Sequence, residues 1–267
     1  MILLTTLILA AVPSSVAPAT SLAAARWGAM GHRLIVEIAW DHLTPATRAA
    51  VSSLLAGQPL GSAATWADSI RPGRRATGPL HYVNLPAGSA AWHPERYCPG
   101  GACVVGAVEK YRAVLADRSA STADRAEALR FLLHFVGDLH QPLHVGDRGD
   151  RGGNEVRVTW RDRQANLHSV WDSGLLEAWA LTEGRYLATL RRRVARMAAE
   201  ERTAAASGSV AGWAMDGNAV SAEVVYRLPP GNRLGSDYLR RAGPAIDLAI
   251  INAGLRLARL LNEALDG

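Results

Sequence analysis

His134 and Asp138 stand four residues apart in Arg130-Phe-Leu-Leu-His-Phe-Val-Gly-Asp-Leu-His140, and His168 and Asp172 repeat the spacing in Leu167-His-Ser-Val-Trp-Asp172. On a helix that spacing puts imidazole and carboxylate on one face, with Cβ atoms about 5–6 Å apart. One such pair reads equally as a helix-surface hydrogen bond or a histidine satisfied in a core. Two pairs in otherwise apolar helices resist that reading, because a buried carboxylate is costly unless paired and a divalent cation removes the penalty. Neutral imidazole and carboxylate are the ligands of catalytic zinc sites that keep one coordination position open. More donors stand close by in short motifs. His144 follows Gln141-Pro142-Leu143, where the proline ends the helix and turns the chain; His81 lies in Leu80-His-Tyr-Val-Asn-Leu-Pro86, Asp68 in Thr65-Trp-Ala-Asp-Ser-Ile-Arg71, and His32 five residues after Trp27. Of the eight histidines, His42, His93 and His140 lack such a context and read as solvent-facing or core hydrogen-bonding residues.

The elements that must position these donors are helical. Apolar residues recur at helical spacing over His32 to Leu43; Thr44-Pro45 then supplies an N-cap with proline at the first helical position, and Gly57 closes the second helix. Val104 to Ala116, Thr122 to Leu139, His168 to Ala180, Glu183 to Arg202, Val210 to Arg227 and Ser236 to Leu265 read likewise. The last is liable to break at Gly243-Pro244, since proline in a helix interior forfeits a hydrogen bond. Only Asn154 to Trp160 alternates like a strand, enough for a hairpin but not a core sheet. The fold class is all-α, with at most a short β-hairpin.

With 267 residues, 49% of them hydrophobic, the chain can bury one sizeable core. Residues 27–267 read as a single domain. Met1 to Val12 is uncharged and apolar, and a Pro/Ser/Ala-rich stretch runs on to Ala25. This resembles a secretory signal peptide, 1–26, too short to span a bilayer comfortably, although no basic residue precedes the apolar run. Removing it takes away only the charge of Arg26 and lowers the formal charge from +5 to +4, compatible with a polyanionic substrate but far from a basic tail that binds DNA by charge alone. Of 29 basic residues only Lys110 is lysine, so composition says little about partners. The two cysteines, Cys98 and Cys103, flank the turn-rich Pro99-Gly100-Gly101-Ala102, a spacing that favours a local disulfide in an oxidising compartment. The alternatives are two unpaired thiols or a metal site, and a structural zinc would need two more ligands. The expected location is secreted or periplasmic.

Trp27-Gly-Ala-Met-Gly-His32, Trp66-Ala-Asp68, His81-Tyr-Val-Asn84, His134-Phe-Val-Gly-Asp-Leu-His-Gln-Pro-Leu-His144, Gly152-Gly-Asn154 and Leu167-His-Ser-Val-Trp-Asp172 occur in the order found in S1/P1 nucleases. Each string is weak alone, and their ordered co-occurrence over residues 27 to 172 is specific. The chain thus resembles that family, whose fold and metal site are similar to those of zinc-dependent bacterial phospholipases C. The resemblance implies three zinc ions. Asp68, His81, His134 and Asp138 would hold one; Asp138 would bridge to a second, held also by His32 and the α-amino nitrogen and carbonyl oxygen of Trp27; His144, His168 and Asp172 would hold the third. It further implies hydrolysis of single-stranded DNA and RNA to 5′-phosphates and removal of 3′-phosphates from nucleotides. Asp68 would orient the attacking water, and Arg71 would neutralise charge on the phosphorus. Tyr82 would stack on the base, while Asn84 and Asn154 would hydrogen-bond the substrate. Fungal members carry an acid at the place of Asn84; an amide both donates and accepts, so base preference can differ. Arg26 is the departure, because cleavage after Ala25 leaves it attached to Trp27. Either processing continues by one residue or this zinc is held differently. Two other classes compete. A phospholipase C would present a more apolar mouth to lipid, and a non-catalytic zinc-binding protein would need neither Arg71, Asn154 nor an aromatic platform.

Overall fold

The computed structural model of the chain describes residues 28–178 and 182–266. The signal-peptide segment and Trp27 lie outside the described residues.

Local signals set the helix ends. After α1 (Ala29–Asp41), the Thr44 hydroxyl accepts from the Thr47 amide at 3.1 Å and Pro45 opens α2 (Pro45–Leu55). Ala56 closes α2 in the left-handed conformation, one residue before the expected Gly57. The helix α3 (Leu60–Ile70) and a 3₁₀ segment, Arg75–His81, follow. The short turn α4 (Pro94–Tyr97) leads to the Cys98–Cys103 disulfide, with Cα atoms 5.3 Å apart. Cys103 then caps α5 (Val104–Ala116). In α6 (Thr122–His140) the Ser121 hydroxyl accepts from the Asp124 amide, and Gln141-Pro142 stops the helix ahead of the 3₁₀ turn Pro142–His144.

The alternating stretch forms a shorter strand than expected. Asn154 and Glu155 donate backward to Arg151 and Asp150 in a turn, so β1 begins only at Arg157. β1 (Arg157–Trp160) pairs antiparallel with β2 (Arg163–Asn166) through a two-residue turn in which Arg161 and Asp162 both have positive φ. Asn166 caps α7 (Leu167–Ser169), and a π-helical turn, Val170–Gly174, joins it to α8 (Leu175–Ala178).

The expected helix from Glu183 to Arg202 is two. α9 (Glu183–Arg196) ends at Met197, and α10 (Ala199–Ala206) restarts where the Glu201 carboxylate accepts from the Ala198 amide. The expected helix from Val210 to Arg227 is α11 (Val210–Val220) continued by a second π-helical turn, Ser221–Val225. β3 (Arg233–Leu234) adds parallel to β1. The final helix, α12 (Ser236–Leu265), runs unbroken through Pro244. Gly243 has no Cβ to meet the proline ring, and the freed carbonyl belongs to exposed Arg240, which water can satisfy.

The core gathers on α6, which packs against α1, α3, α5, α11 and α12. Two glycines permit the closest approaches. A Cβ on Gly254 of α12 would lie 2.6 Å from Ile38 Cγ2 of α1, and one on Gly137 of α6 would lie 2.5 Å from His32 Nδ1. Because α6 is central, the residues on its inner face are removed from water, and His134 and Asp138 are among them.

Candidate metal centre and cavity

Eight side chains from seven segments converge. His32 comes from the first turn of α1, Asp68 from α3, His81 from the 3₁₀ segment, His134 and Asp138 from α6, His144 from the turn after Pro142, His168 from α7 and Asp172 from the π-turn. Asp138 is at the middle. Its Oδ2 lies 2.8 Å from His81 Nδ1 and 3.1 Å from His134 Nε2; its Oδ1 lies 3.1 Å from His144 Nδ1 and 3.6 Å from His32 Nε2. Asp68 approaches His81 and His134 at 3.6 and 3.7 Å. Beside them, His168 Nε2 is 3.2 Å from Asp172 Oδ2, and His144 Nε2 is 3.6 Å from Asp172 Oδ1.

Three groups of donors lie close enough to share an ion: Asp68 with His81 and His134, His32 with His134 and Asp138, and His144 with His168 and Asp172, the donor atoms of each within 4.8 Å of one another. Buried polar atoms normally have partners. Here His81 Nε2, Asp138 Oδ1, His144 Nδ1 and Asp172 Oδ2 are buried without a hydrogen bond, although each lies in this cluster of donors. Such a set fits divalent zinc in donor type and burial.

The rings are oriented from behind. His134 donates from Nδ1 to the Ala64 carbonyl at 2.8 Å, and His168 from Nδ1 to the Gly152 carbonyl at 2.7 Å, so each turns Nε2 toward the centre. Gln141, buried, donates to Asp172 Oδ1 at 2.5 Å while accepting from the Leu143 amide. The Trp171 indole donates to the Tyr238 hydroxyl, pinning the turn that carries Asp172 to α12. The Gly28 amide donates to the Asp172 carbonyl at 2.6 Å, which brings the start of the described chain to the same place.

Charge in the cluster is strongly coupled. Burial opposes ionisation of Asp138, but the surrounding His134 and His144 outweigh it and hold the carboxyl well below its usual range. Burial likewise opposes protonation of His144, yet the charge of Asp138 pushes it up to about 10, and His134 is raised in the same way. Burial, then the neighbouring His134, depresses His32 well below its ordinary value. Asp172 falls to about 2, burial being outweighed by His168. Protons thus occupy the field that a cation would fill.

A cavity of about 410 Å³ opens over these donors, with His81, His144 and His168 in its floor. Its walls include Arg71, Tyr82, Asn84 and Asn154, all four of the residues expected to meet substrate. The segment after His81 is extended and alternates, so Val83 and Leu85 go into the core while Tyr82 and Asn84 are exposed. Tyr82 is therefore on the surface of the site and not in the core. Arg71 has its Nη1 buried without a partner. Two larger surface hollows hold none of the clustered donors.

Three residues of the site lie outside every short motif, and a fourth, Gln141, lies within one without a role of its own there. Asp147 and Arg151 line the cavity, Gln141 orients Asp172, and Asn218 of α11 ties two loops of the site together. Gln141 was legible only as part of the string before Pro142. Asn218 lies outside every short motif and declares itself by burial alone. His140 is a buried core histidine, His93 is exposed beside Glu95, and His42 is half-buried; none joins the cluster.

A family model for S1/P1 nuclease matches residues 27–266. Among similar proteins, Endonuclease 4 of Arabidopsis thaliana is 34% identical over 89% of this chain and 88% of its own length. Nuclease P1 of Penicillium citrinum is 31% identical over 89% of this chain and 97% of its own. Nuclease S1 of Aspergillus oryzae is 26% identical over 88% and 91%. With the helical architecture, the ordered motifs and a match along nearly all of the chain beyond residue 26, this protein belongs to the S1/P1 nuclease family.

Proposed function

We propose that the chain is a zinc-dependent phosphodiesterase and phosphomonoesterase that hydrolyses single-stranded DNA and RNA to 5′-phosphates and removes the 3′-phosphate from nucleotides. The observation that carries this reading is one cavity joining metal-type donors to a half-buried arginine, an exposed aromatic ring and two amides.

Asp68, His81, His134 and Asp138 would hold one zinc, Asp138 would bridge to a second held by His32 and the Trp27 terminus, and His144, His168 and Asp172 would hold a third. The Gly28 contact with Asp172 supports the placement of the terminus. When bound, zinc supplies Lewis acidity and an activated water at neutral pH. Asp68, its side chain 32% exposed at the edge of the cluster, would orient the attacking water toward the phosphorus. The Arg71 guanidinium meets charge developing on the phosphate oxygens with the unpartnered Nη1. The Tyr82 ring stacks on a base, which is worth about 1–3 kcal/mol for any base and requires it to be splayed out of a duplex. Asn154 keeps its amide nitrogen on the Arg151 carbonyl at 2.8 Å, leaving Oδ1 to accept from substrate, and Asn84 both donates and accepts. Export to a periplasmic or extracellular location agrees with the disulfide, and no helix among the described residues is long and apolar enough to cross a membrane.

Release of phosphate from 3′-AMP, of 5′-nucleotides from single-stranded DNA and of phosphocholine from phosphatidylcholine, with zinc counted per chain, tests the proposal. Activity on the first two and not the third is expected; Asp138→Asn should lower both zinc content and hydrolysis. Cleavage of phosphatidylcholine alone would make the chain a phospholipase C, and zinc binding without any hydrolysis a binding protein.

A further inference from the structure

The loop after His144 brings a second arginine to the cavity. Arg151 lines the hollow that Arg71 also lines, is exposed, and has no acidic partner or side-chain hydrogen bond among the described residues. Some exposed arginines are neutralised, Arg74 by Glu127 at 2.8 Å and Arg233 by Asp162 at 2.8 Å, and others, such as Arg75, Arg118 and Arg163, also stand without an acidic partner among the described residues but line no part of this cavity.

The backbone under Arg151 is unusual. Its φ is 58°, the left-handed region where an L side chain is strained and glycine is the default. Gly149, Gly152 and Gly153 also have positive φ, so three of the four left-handed positions in this loop are glycine and the fourth is arginine. The surroundings hold it there. Asp147 Oδ1 accepts from the amides of Gly149, Asp150 and Gly152, each at 3.0 Å, and Asp150 Oδ1 accepts from the Gly153 amide and the Tyr226 hydroxyl at 2.7 Å. The next carbonyl, Gly152, receives the His168 ring. A strained residue held by so many bonds beside a reactive centre is a reason to look for function.

The two arginines divide by depth. Arg71 is half-buried with Nη1 enclosed, as suits the reacting phosphate; Arg151 is at the open rim. We propose that Arg151 binds the phosphate of the nucleotide next to the one being hydrolysed, and so favours a polynucleotide strand over a mononucleotide. The inference rests on the nuclease reading and adds to it a residue that distinguishes strand from nucleotide.

The test compares the zinc-loaded protein with Arg151→Gly and Arg151→Lys. Fluorescence anisotropy gives the Kd of a phosphorothioate-linked oligothymidylate between 50 and 200 mM salt, and displacement gives that of thymidine 5′-phosphate. Arg151→Gly should weaken the oligonucleotide roughly three- to tenfold, the scale of one exposed charge-assisted contact, and the mononucleotide less. The slope of log Kd against log salt should flatten by about 0.7, one phosphate contact on a single strand. Arg151→Lys should restore the slope. Because glycine relieves the left-handed strain, Tm should hold or rise in Arg151→Gly, which separates lost binding from lost folding. Equal weakening of both ligands, or an unaltered salt slope, overturns the proposal. The binding measurement reads Arg151 even if the chain hydrolyses nothing, so its failure and that of the nuclease reading are told apart.

Discussion

At the scale of single residues, neighbours outside the donor set decide whether the donors meet. Gly137 lies between His134 and Asp138 in mid-helix, where propensity alone favours alanine by about 1 kcal/mol. Contact reverses that sign, since an added Cβ would lie 2.5 Å from His32 Nδ1 and 2.8 Å from Cε1. Gly137→Ala is therefore expected to reduce zinc affinity and hydrolysis roughly ten- to a hundredfold, the scale of a lost support behind a ligand, as read by zinc titration. His140 stands outside the three donor groups. It donates from Nδ1 to the Val136 carbonyl and accepts at Nε2 from Arg256, itself paired with Asp216. Burial, with the Arg256 charge adding to it, lowers its pKa to about 3 from 6.5. The unfolded chain takes up this proton first as pH falls, so the contribution is full above about pH 6.5 and is lost between there and about 3, by at most about 1.4 kcal/mol per pH unit. Urea midpoints of His140→Gln should accordingly fall less between pH 7 and pH 5 than those of the parent chain.

Elements of the second half of the chain hold the site made by the first. Asn218 of α11 is buried and uses its whole amide: Oδ1 accepts from the Gly88 and Ser89 amides at 2.9 Å, and Nδ2 donates to the carbonyls of Pro86 at 3.0 Å and Val145 at 2.9 Å. It thereby joins the segment bearing His81, Tyr82 and Asn84 to the turn bearing His144. Gly146 has to be small for the same packing, since a Cβ there would lie 2.0 Å from Ser221 Oγ in the π-turn. Asn218→Asp keeps the shape but sets a carboxylate against carbonyl oxygens, leaving them unpaired at about 1–3 kcal/mol each. Chemical denaturation should show a loss of about 2–4 kcal/mol. Nucleotide KM should rise more than kcat falls, because Tyr82 and Asn84 stand on the released segment. An unchanged KM would mean that the loops hold their positions without this amide.

For the molecule as a whole, the buried charges lie where the helices meet. Asp138 and its four histidine neighbours are removed from water on α6 and its contacts, a burden on folding unless a cation takes the protons' place. Zinc at about a thousandfold above its Kd would stabilise the fold by about 4 kcal/mol, and a chain of this size moves about 2–4 °C per kcal/mol. Chelation is expected to lower Tm by on the order of 10 °C, with recovery on adding zinc. A Tm indifferent to chelator would show that the cluster is satisfied by protons alone.

Periodicity and spacing determined a good deal on their own. The helical class, the ends of α5, the Thr44 cap and the face shared by His134 and Asp138 all follow from local backbone geometry, which reads only a few residues at a time. The resemblance placed all eight described donors, and the structure gathers them. What local rules missed depends on distant partners. Pro244 stays helical because its neighbours tolerate it, the long α9–α10 stretch divides at Met197–Ala198, and the π-turns insert a residue where Asp172 and Tyr226 are pinned to other elements. Arg151 and Asn218 belong to no spacing pattern. They matter because folding sets one at the rim of a cavity and buries the other between two loops, and neither burial nor a shared cavity exists until segments separated by dozens of residues are packed together.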